Sequence, residues 1–398
     1  MTKLTILLAS TAALAGCATQ PMPAPMTAPM VDTAPPVEAP VGPKASIGAF
    51  GFDKVGMDTN VVPGNNFYDY ANGTWAKNTP IPADKSNYGM FTLLDDLSRE
   101  RTKSLIENAA QDPNSRIGAV YASFMDQPTI EAKGLAPIKP WLNQINGLKS
   151  KAGLASLYAA AGKMGVGTPF GGYVGQDDKN PEEYILSLGQ SGLGMPDRDY
   201  YLKADPKLAE TRAKYLVHLA NVLTLAGEPN AAVRAKAILD FETKIAEASW
   251  TRIESRDATK TYNKMTVAEL ARSAPGFDFA HLIKDSGAQG VRSLIVSQPS
   301  AISKIAALVA KAPIGVLKDQ LIIRSLDSYS AYLPKAFDDE SFSFYGTTLS
   351  GTPEQEARWK RAVGFTTGVL QDDVSKLYVA QYYPPETKAA ADQLVRNV

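Results

Sequence analysis

The sequence predicts a mainly α fold with one small β-hairpin, and three observations support this prediction. Apolar residues recur at the i, i+3, i+4 spacing of a buried helix face through most of the chain after residue 56. Helix-capping patterns occur between these stretches, as at Thr266 and Glu269. Strand-like runs are confined to residues 170–174 and 183–188. With 398 residues, 44% of them hydrophobic, the chain is long enough to bury a large core.

Residues 1–17 have the pattern of a lipoprotein signal peptide. A basic start at Lys3 is followed by an apolar run over residues 4–15, which is too short to span a bilayer. The run ends in Leu14-Ala15-Gly16-Cys17, which matches the bacterial lipobox, where the cysteine carries the lipid. An ordinary secretory signal with an incidental cysteine is the alternative. We therefore expect Cys17 to attach the protein to a membrane of the bacterial cell envelope. Ala18, in place of an aspartate, favours the outer membrane and a position facing the periplasm.

Residues 18–55 are predicted to be a tether. Its part from residue 18 to about residue 43 is rich in proline and alanine and has almost no charge. Repeated prolines remove backbone donors and favour extended polyproline-type conformations, so the segment should hold the folded part away from the membrane. The globular domain is then expected over residues 56–398.

Helices are predicted along the whole globular domain, over residues 117–125, 208–225, 231–250, 301–311 and 314–333. Pro128 ends the first, and Gly227 follows the second as a C-terminal cap. The pattern Thr352-Pro353-Glu354-Gln355 predicts the start of a long helix that reaches about residue 378. A last helix over 388–398 has an apolar face that favours a partner; a frayed terminal helix docked on its own domain is the alternative.

The two strand-like runs are separated by residues 175–181, which are rich in turn-forming residues. This arrangement predicts a hairpin in which the two strands pair. No repeat of fixed period is present in the sequence, which argues against a solenoid of helical hairpins.

The charge composition disfavours nucleic-acid binding. Lys plus Arg and Asp plus Glu are both 41, so the formal net charge is zero. A protein that neutralises many phosphates needs an excess of basic residues, and none is present.

The sequence predicts no catalytic and no metal-binding residues in this chain. A zinc hydrolase needs at least three protein ligands, usually including the helical His-Glu-x-x-His pattern. The two histidines, His218 and His281, do not begin that pattern and are interpreted as packing or surface residues. A single cysteine excludes cysteine-rich metal sites.

Other catalytic patterns are missing as well. Gly-x-Ser-x-Gly does not occur, and the glycine-rich residues 189–194 lack the lysine of a phosphate-binding loop, so they are interpreted as a loop. The adjacent acid pairs 95–96, 177–178 and 338–339 point apart on a helix and are expected to be solvated in loops.

Several separated stretches resemble the N-terminal region of the neprilysin and endothelin-converting-enzyme family. One contains Asn72-Gly73-Thr74-Trp75, and another contains Asn87-Tyr88-Gly89-Met90-Phe91. The resembling stretches occur in the family's order, over residues 63–75, 81–91, 194–202, 256–266, 275–278, 344–351 and 377–385. They extend from about residue 58 to the last residue and cover nearly the whole globular domain.

The resemblance implies a large helical lobe of a two-lobed zinc metallopeptidase that acts on oligopeptides. In that family the later lobe carries His-Glu-x-x-His and a third glutamate ligand, and the earlier lobe covers the central cavity and restricts substrates to peptides. The resemblance therefore implies zinc in the complete enzyme, none bound by this chain, and a missing C-terminal catalytic lobe as its partner.

The resemblance also indicates substrate-facing positions at Asn87, Tyr88 and Asp95. In animal neprilysin an arginine pair flanks this segment and helps to hold the free carboxylate of the substrate. Asn87 and Asp95 occupy the corresponding positions here. Release of dipeptides from a C-terminus is therefore not expected.

Two hypotheses about function follow from the resemblance, and a third, an unrelated helical protein of the cell envelope, does not depend on it. In the first, the chain is the substrate-restricting lobe of a zinc metalloendopeptidase and is inactive by itself. In the second, it is a stand-alone peptide-binding or scaffold lipoprotein of the cell envelope.

Overall fold

The computed structural model describes residues 53–398. The predicted signal peptide, with Cys17, and the tether as far as residue 52 lie outside the described residues. Residues 53–74 belong to one compact unit, and Trp75–Val398 forms a second. In the first unit the Thr74 hydroxyl donates to the Met57 carbonyl at 2.7 Å, and the Asp58 amide donates to the Tyr70 carbonyl at 2.9 Å.

Helices account for most of the described chain, which confirms the mainly α prediction. The first part contains α1 (Phe67–Asn78), α2 (Met90–Ala109), α3 (Arg116–Met125), α4 (Gln127–Lys133), α5 (Lys139–Gly147), α6 (Leu154–Lys163), β1 (Phe170–Asp177), β2 (Asn180–Gln190), α7 (Asp199–Leu202), α8 (Pro206–Leu225) and α9 (Ala231–Ala248).

The second part contains α10 (Ala258–Thr261), β3 (Lys264–Thr266), α11 (Val267–Ser273), α12 (Phe279–Ile283), β4 (Ser293–Val296), α13 (Pro299–Lys311), α14 (Ile314–Tyr329), α15 (Lys335–Ser341), α16 (Arg358–Val369), α17 (Gln371–Tyr382) and α18 (Pro385–Asn397). Short 3₁₀ turns and two π-helical segments, Lys284–Ala288 and Phe342–Leu349, connect some of them.

The predicted hairpin is present and longer than expected. Strands β1 and β2 pair antiparallel, and only two residues separate them because most of the predicted loop joins the strands. The sequence did not indicate β3 and β4, which extend the hairpin into a four-stranded sheet of order β1-β2-β4-β3. Strand β4 pairs parallel with β2 over three residues, a contact too short and too distant in sequence for periodicity to reveal.

The predicted helix caps are correct where local bonds decide them. The Thr266 hydroxyl accepts from the Glu269 amide at 3.2 Å, and the Glu269 carboxylate accepts from the Thr266 amide at 2.7 Å, which completes the capping box. Gly227 has φ of 73°, the left-handed conformation that ends α8. Pro128 does not leave a loop, because Asp126 caps a new helix, α4, at once.

The predicted long helix from residue 352 to 378 is wrong in two places. Residues 352–357 are not helical because their polar groups bond elsewhere: the Glu354 amide donates to the Ala83 carbonyl at 3.0 Å, and the Gln355 side chain donates to Asp338 at 2.9 Å. The helix then breaks at Leu370, whose φ and ψ are −124° and 48°. Its buried side chain packs in a small apolar cluster.

The acid pair 338–339 lies on α15 and points apart, as predicted for a helix, with Asp338 buried and Asp339 exposed, but Asp177, predicted to be a solvated loop acid, is buried. Asp177 is 1% exposed and accepts from Lys264 Nζ at 2.8 Å and the Tyr262 hydroxyl at 2.7 Å. The hydrogen bond from Lys264 is the main cause that lowers the Asp177 pKa to about 2. Asp338 accepts from Arg361 at 2.7 Å. Long-range cations satisfy both carboxylates, and sequence spacing gives no sign of them.

The second unit contains two apolar clusters. The larger one includes α6, α8, α9, α13, α14 and the inner strands, with Tyr158, Tyr215 and Phe279 among its largest buried side chains. The smaller one joins α2, α3, α16 and α17 through residues such as Ile106 and Val363. Among the described helices, none is by itself both long and apolar enough to cross a membrane; the pair Pro299–Lys311 and Ile314–Tyr332, bent by 115°, meets that test by length and composition only.

Candidate substrate-facing surface

The predicted substrate-facing residues lie on one short stretch, in the loop before α2 and in its first two turns. Asn87 is exposed, Tyr88 is half-buried, and Asp95 is exposed on α2. Gly89 precedes the helix in an extended conformation, and no side chain caps the first amides. The three side chains therefore lie at the N-terminal end of α2.

Large apolar side chains are exposed beside them. Phe91 is 90% exposed and Met90 is 50% exposed, and Leu94 lies one turn further along α2. Positions three and four apart on a helix share a face, so these residues and Asp95 form one continuous surface. We call Asn87, Tyr88, Met90, Phe91, Leu94 and Asp95 the α2 surface. Grouped exposed apolar residues are typical of a site that contacts a ligand or a partner.

Ion pairs hold α2 against the chain just before α16. Arg99 pairs with Asp95 at 2.8 Å on its own helix and with Glu356 at 3.0 Å across the fold. Lys85, in the loop before α2, pairs with Asp96 at 2.9 Å. Asp95 is thus oriented by Arg99 and leaves one side of its carboxylate to solvent.

A second set of contacts fixes the loop itself. Lys360 Nζ pairs with Asp84 at 2.8 Å, and this hydrogen bond is the main cause that lowers the pKa of the Asp84 carboxyl. The Glu354 amide also donates to the Ala83 carbonyl at 3.0 Å. Sequence reasoning missed these positioning residues because their partners lie more than 250 positions away, and isolated charges carry no spacing signal.

The two histidines do not form a metal site. His218 is buried, with Nε2 at 3.2 Å from Asp327 and Nδ1 at 3.1 Å from Glu340, and its ring stacks on Phe344. His281 is half-exposed on α12. Within residues 53–398 no group of three or more histidine, cysteine, aspartate or glutamate side chains has an arrangement that fits a metal ion. The described residues therefore do not fit the zinc site that the resemblance implies for the complete enzyme.

The fold matches about half of a solved zinc metalloprotease. The Mycobacterium tuberculosis zinc metalloprotease Zmp1, in complex with an inhibitor, superposes with a TM-score of 0.81 at 32% identity, over 87% of this chain and 54% of that chain. PepO from Lactobacillus rhamnosis HN001 superposes with a TM-score of 0.70 at 19% identity over 83% of this chain, a likeness of fold. The class of protein is thus a mainly α metalloprotease lobe.

The family follows from the sequence comparison. The model of peptidase family M13 matches residues 63–398, and the chain belongs to that family. It is an N-terminal lobe of the neprilysin type, as its resembling stretches predicted. Similar proteins include an endothelin-converting enzyme homolog of Locusta migratoria, 26% identical over 373 residues, and endothelin-converting enzyme 1 of Bos taurus, 25% identical over 361 residues.

These alignments cover 86% of this chain in both cases, but 50% and 47% of the two relatives. The chain therefore spans about half the length of the curated relatives it matches.

Proposed function

We propose that this chain is the substrate-restricting lobe of a zinc metalloendopeptidase that hydrolyses oligopeptides, and that it is inactive without a catalytic lobe carrying His-Glu-x-x-His. The observation that carries the proposal is the family M13 match over residues 63–398, together with the absence of a metal-binding group among the described residues. Zinc would be held by the catalytic lobe. Attachment to the outer membrane through Cys17 is part of the same proposal.

The α2 surface is proposed to contact the peptide substrate. Its exposed apolar side chains suit a peptide with apolar residues, and the ion pairs of Arg99, Lys85 and Lys360 hold it in one position. A surface that is already held in one conformation loses less conformational entropy when a ligand binds, which favours binding. Asn87 and Asp95 give this surface no cation, so it does not select for the free C-terminal carboxylate of a peptide.

The first step of the test is to read the gene beyond codon 398. An open frame encoding His-Glu-x-x-His supports the proposal. A stop codon at that point would favour the stand-alone peptide-binding or scaffold lipoprotein instead.

The second step uses the enzyme formed by this chain and that catalytic lobe. Phe91→Glu is expected to raise KM for an apolar oligopeptide about tenfold, equivalent to about 1.4 kcal/mol of lost binding, and to leave kcat unchanged because uniform binding is lost. Tyr88→Ala should raise KM less. Val233→Glu, at a valine 73% exposed on α9, is the matched control and should change neither constant. Equal kinetics for Phe91→Glu and Val233→Glu would contradict the assignment of the α2 surface.

A further inference from the structure

A cavity of about 410 Å³ lies on one face of the β1–β2 hairpin. Three alternate residues of β1 line it: Phe170, Gly172 and Val174. Leu188 and Leu186 of β2, which lie opposite Gly172 and Val174, line it from the same face of the hairpin. The ends of α6 and α12 line its other walls. Lys163 is the single charged side chain among its lining residues, so the cavity suits an apolar group.

The cavity contains a buried polar group without a partner. Tyr158 of α6 is 2% exposed and lines the cavity, and its hydroxyl has no hydrogen-bond partner among the described residues. A buried hydroxyl that has lost its hydration without gaining a hydrogen bond is destabilising, so such groups are rare unless water or a ligand satisfies them. The hydroxyl is therefore a donor that an acceptor on a bound ligand could satisfy.

The strand beside the cavity has a free edge. Within residues 53–398, β1 is the last strand of the sheet and pairs on one side only. Exposed edges are usually protected by charged side chains or proline. Residues 170–176 contain neither, and Tyr173 and Val174 are 69% and 63% exposed. This edge is thus open to pairing with another extended segment.

The hydrogen-bond register shows which groups that edge offers. The Ser191 amide donates to the Pro169 carbonyl at 3.2 Å, and bonded and non-bonded pairs alternate along an antiparallel ladder. Gly172 and Val174 therefore form no backbone hydrogen bonds with Leu188 and Leu186, the residues opposite them on β2. Their own amides and carbonyls point away from β2. The Leu188 carbonyl, opposite Gly172, accordingly points the other way and accepts from Ser297 at 2.9 Å.

We propose that the outer edge of β1 and the adjacent cavity form a binding site for an extended, uncharged peptide segment. The peptide adds as a fifth strand, bonded to the backbone of Gly172 and Val174, and every second side chain faces the cavity. A large side chain of the peptide enters the cavity, and a polar atom on it accepts from the Tyr158 hydroxyl. This site is separate from the α2 surface, and binding to it needs no catalytic lobe.

The test is a binding measurement on the purified chain. The probe is a blocked, fluorescein-labelled heptapeptide of alternating threonine and tyrosine, followed by fluorescence anisotropy. Saturable binding is expected. Gly162→Phe should weaken it at least tenfold, because Gly162 lines the cavity and a Cβ atom added there meets no other atom within 4 Å, so the ring can be accommodated at the cavity wall. Val174→Pro should do the same, because it removes an outward amide without breaking the ladder with β2.

Matched controls separate the site from general damage. Gly147→Phe is a change at an exposed glycine of α5 that also has nothing within 4 Å and does not line the cavity, and Val174→Thr keeps the amide. Both should bind like the unaltered chain, within about twofold. Thermal unfolding of each variant shows whether it is folded.

Hydrogen exchange provides a second readout that does not depend on any variant. The amides of Gly172 and Val174 should exchange fast in the free chain and slowly with the peptide, whereas those of Tyr173 and Gly175 should be protected in both. Absence of saturable binding, or equal affinity of all four variants, would overturn the proposal. A dimer whose Gly172 and Val174 amides are protected without peptide would also overturn it, since a second copy would then occupy the edge. Because no cleavage is measured, failure here is distinct from failure of the proposed peptidase function.

Discussion

Arg324→Met is expected to lower the free energy of unfolding by about 3–5 kcal/mol, because it leaves a buried carboxylate without its cation. Glu242 is fully buried on α9, and Arg324 of α14 pairs with it. The carboxylate also accepts from the Tyr201 hydroxyl at 2.7 Å and the Tyr215 hydroxyl at 3.0 Å. These neutral donors do not replace the positive charge.

Urea unfolding followed by circular dichroism measures this effect. Lys236→Met is the matched control. Lys236 forms an ion pair with Asp240 on α9, the helix that also carries Glu242, but its side chain is 60% exposed. Exposed ion pairs contribute about 0–1 kcal/mol. Adding Glu242→Gln to Arg324→Met removes the unpaired charge and should recover part of the loss. A loss below about 1 kcal/mol for Arg324→Met would show that water reaches this pair.

The second large effect is a decrease in stability as pH rises from about 6.5 to about 9. Burial alone would lower the pKa of His218, but its hydrogen bonds with Asp327 and Glu340 outweigh burial and raise the pKa to about 9. The folded chain therefore holds a proton that the unfolded chain, with a pKa of 6.5, releases. The stabilisation is complete below about pH 6.5 and is lost as pH rises through about 9. At about 1.4 kcal/mol per pKa unit it amounts to at most about 3–4 kcal/mol.

Unfolding free energies at several pH values between 6 and 10 test this sign. His218→Gln should lose the pH dependence in that window, although it will also lower stability at pH 6. His281→Gln, at the half-exposed histidine of α12, should keep it. The same slope in the His218→Gln variant and the unaltered chain would assign the pH dependence to other groups.

Sequence reasoning predicted the local features of this fold well. The helices α8, α9, α13 and α14 follow from apolar periodicity, and the capping box at Thr266 follows from two residues three positions apart. These features depend on contacts within one or two helical turns. The family was also predicted correctly from local features, because each motif that carries the resemblance is a short stretch of sequence and the motifs occur in the family's order.

The features that the sequence did not predict depend on partners that are distant along the chain. Residues 352–357 have a helix-start pattern, but their backbone and side chains bond to Ala83 and Asp338, and the helix begins only at Arg358. The sequence predicts a solvated loop acid at Asp177, whereas the fold brings Lys264 and Tyr262 within hydrogen-bond distance of its carboxylate. For the candidate site, Asn87, Tyr88 and Asp95 came from the resemblance, while the ion pair of Arg99 with Glu356 required the structure.

The central claim is that this polypeptide restricts substrates and contributes no catalytic zinc centre. Metal analysis and a peptide-hydrolysis assay on one purified sample of residues 1–398, freed of contaminating protease, test it most directly. We expect far less than one zinc ion per chain after dialysis and no cleavage that a chelator abolishes. One tightly bound zinc per chain, together with chelator-sensitive cleavage of an oligopeptide, would contradict the account.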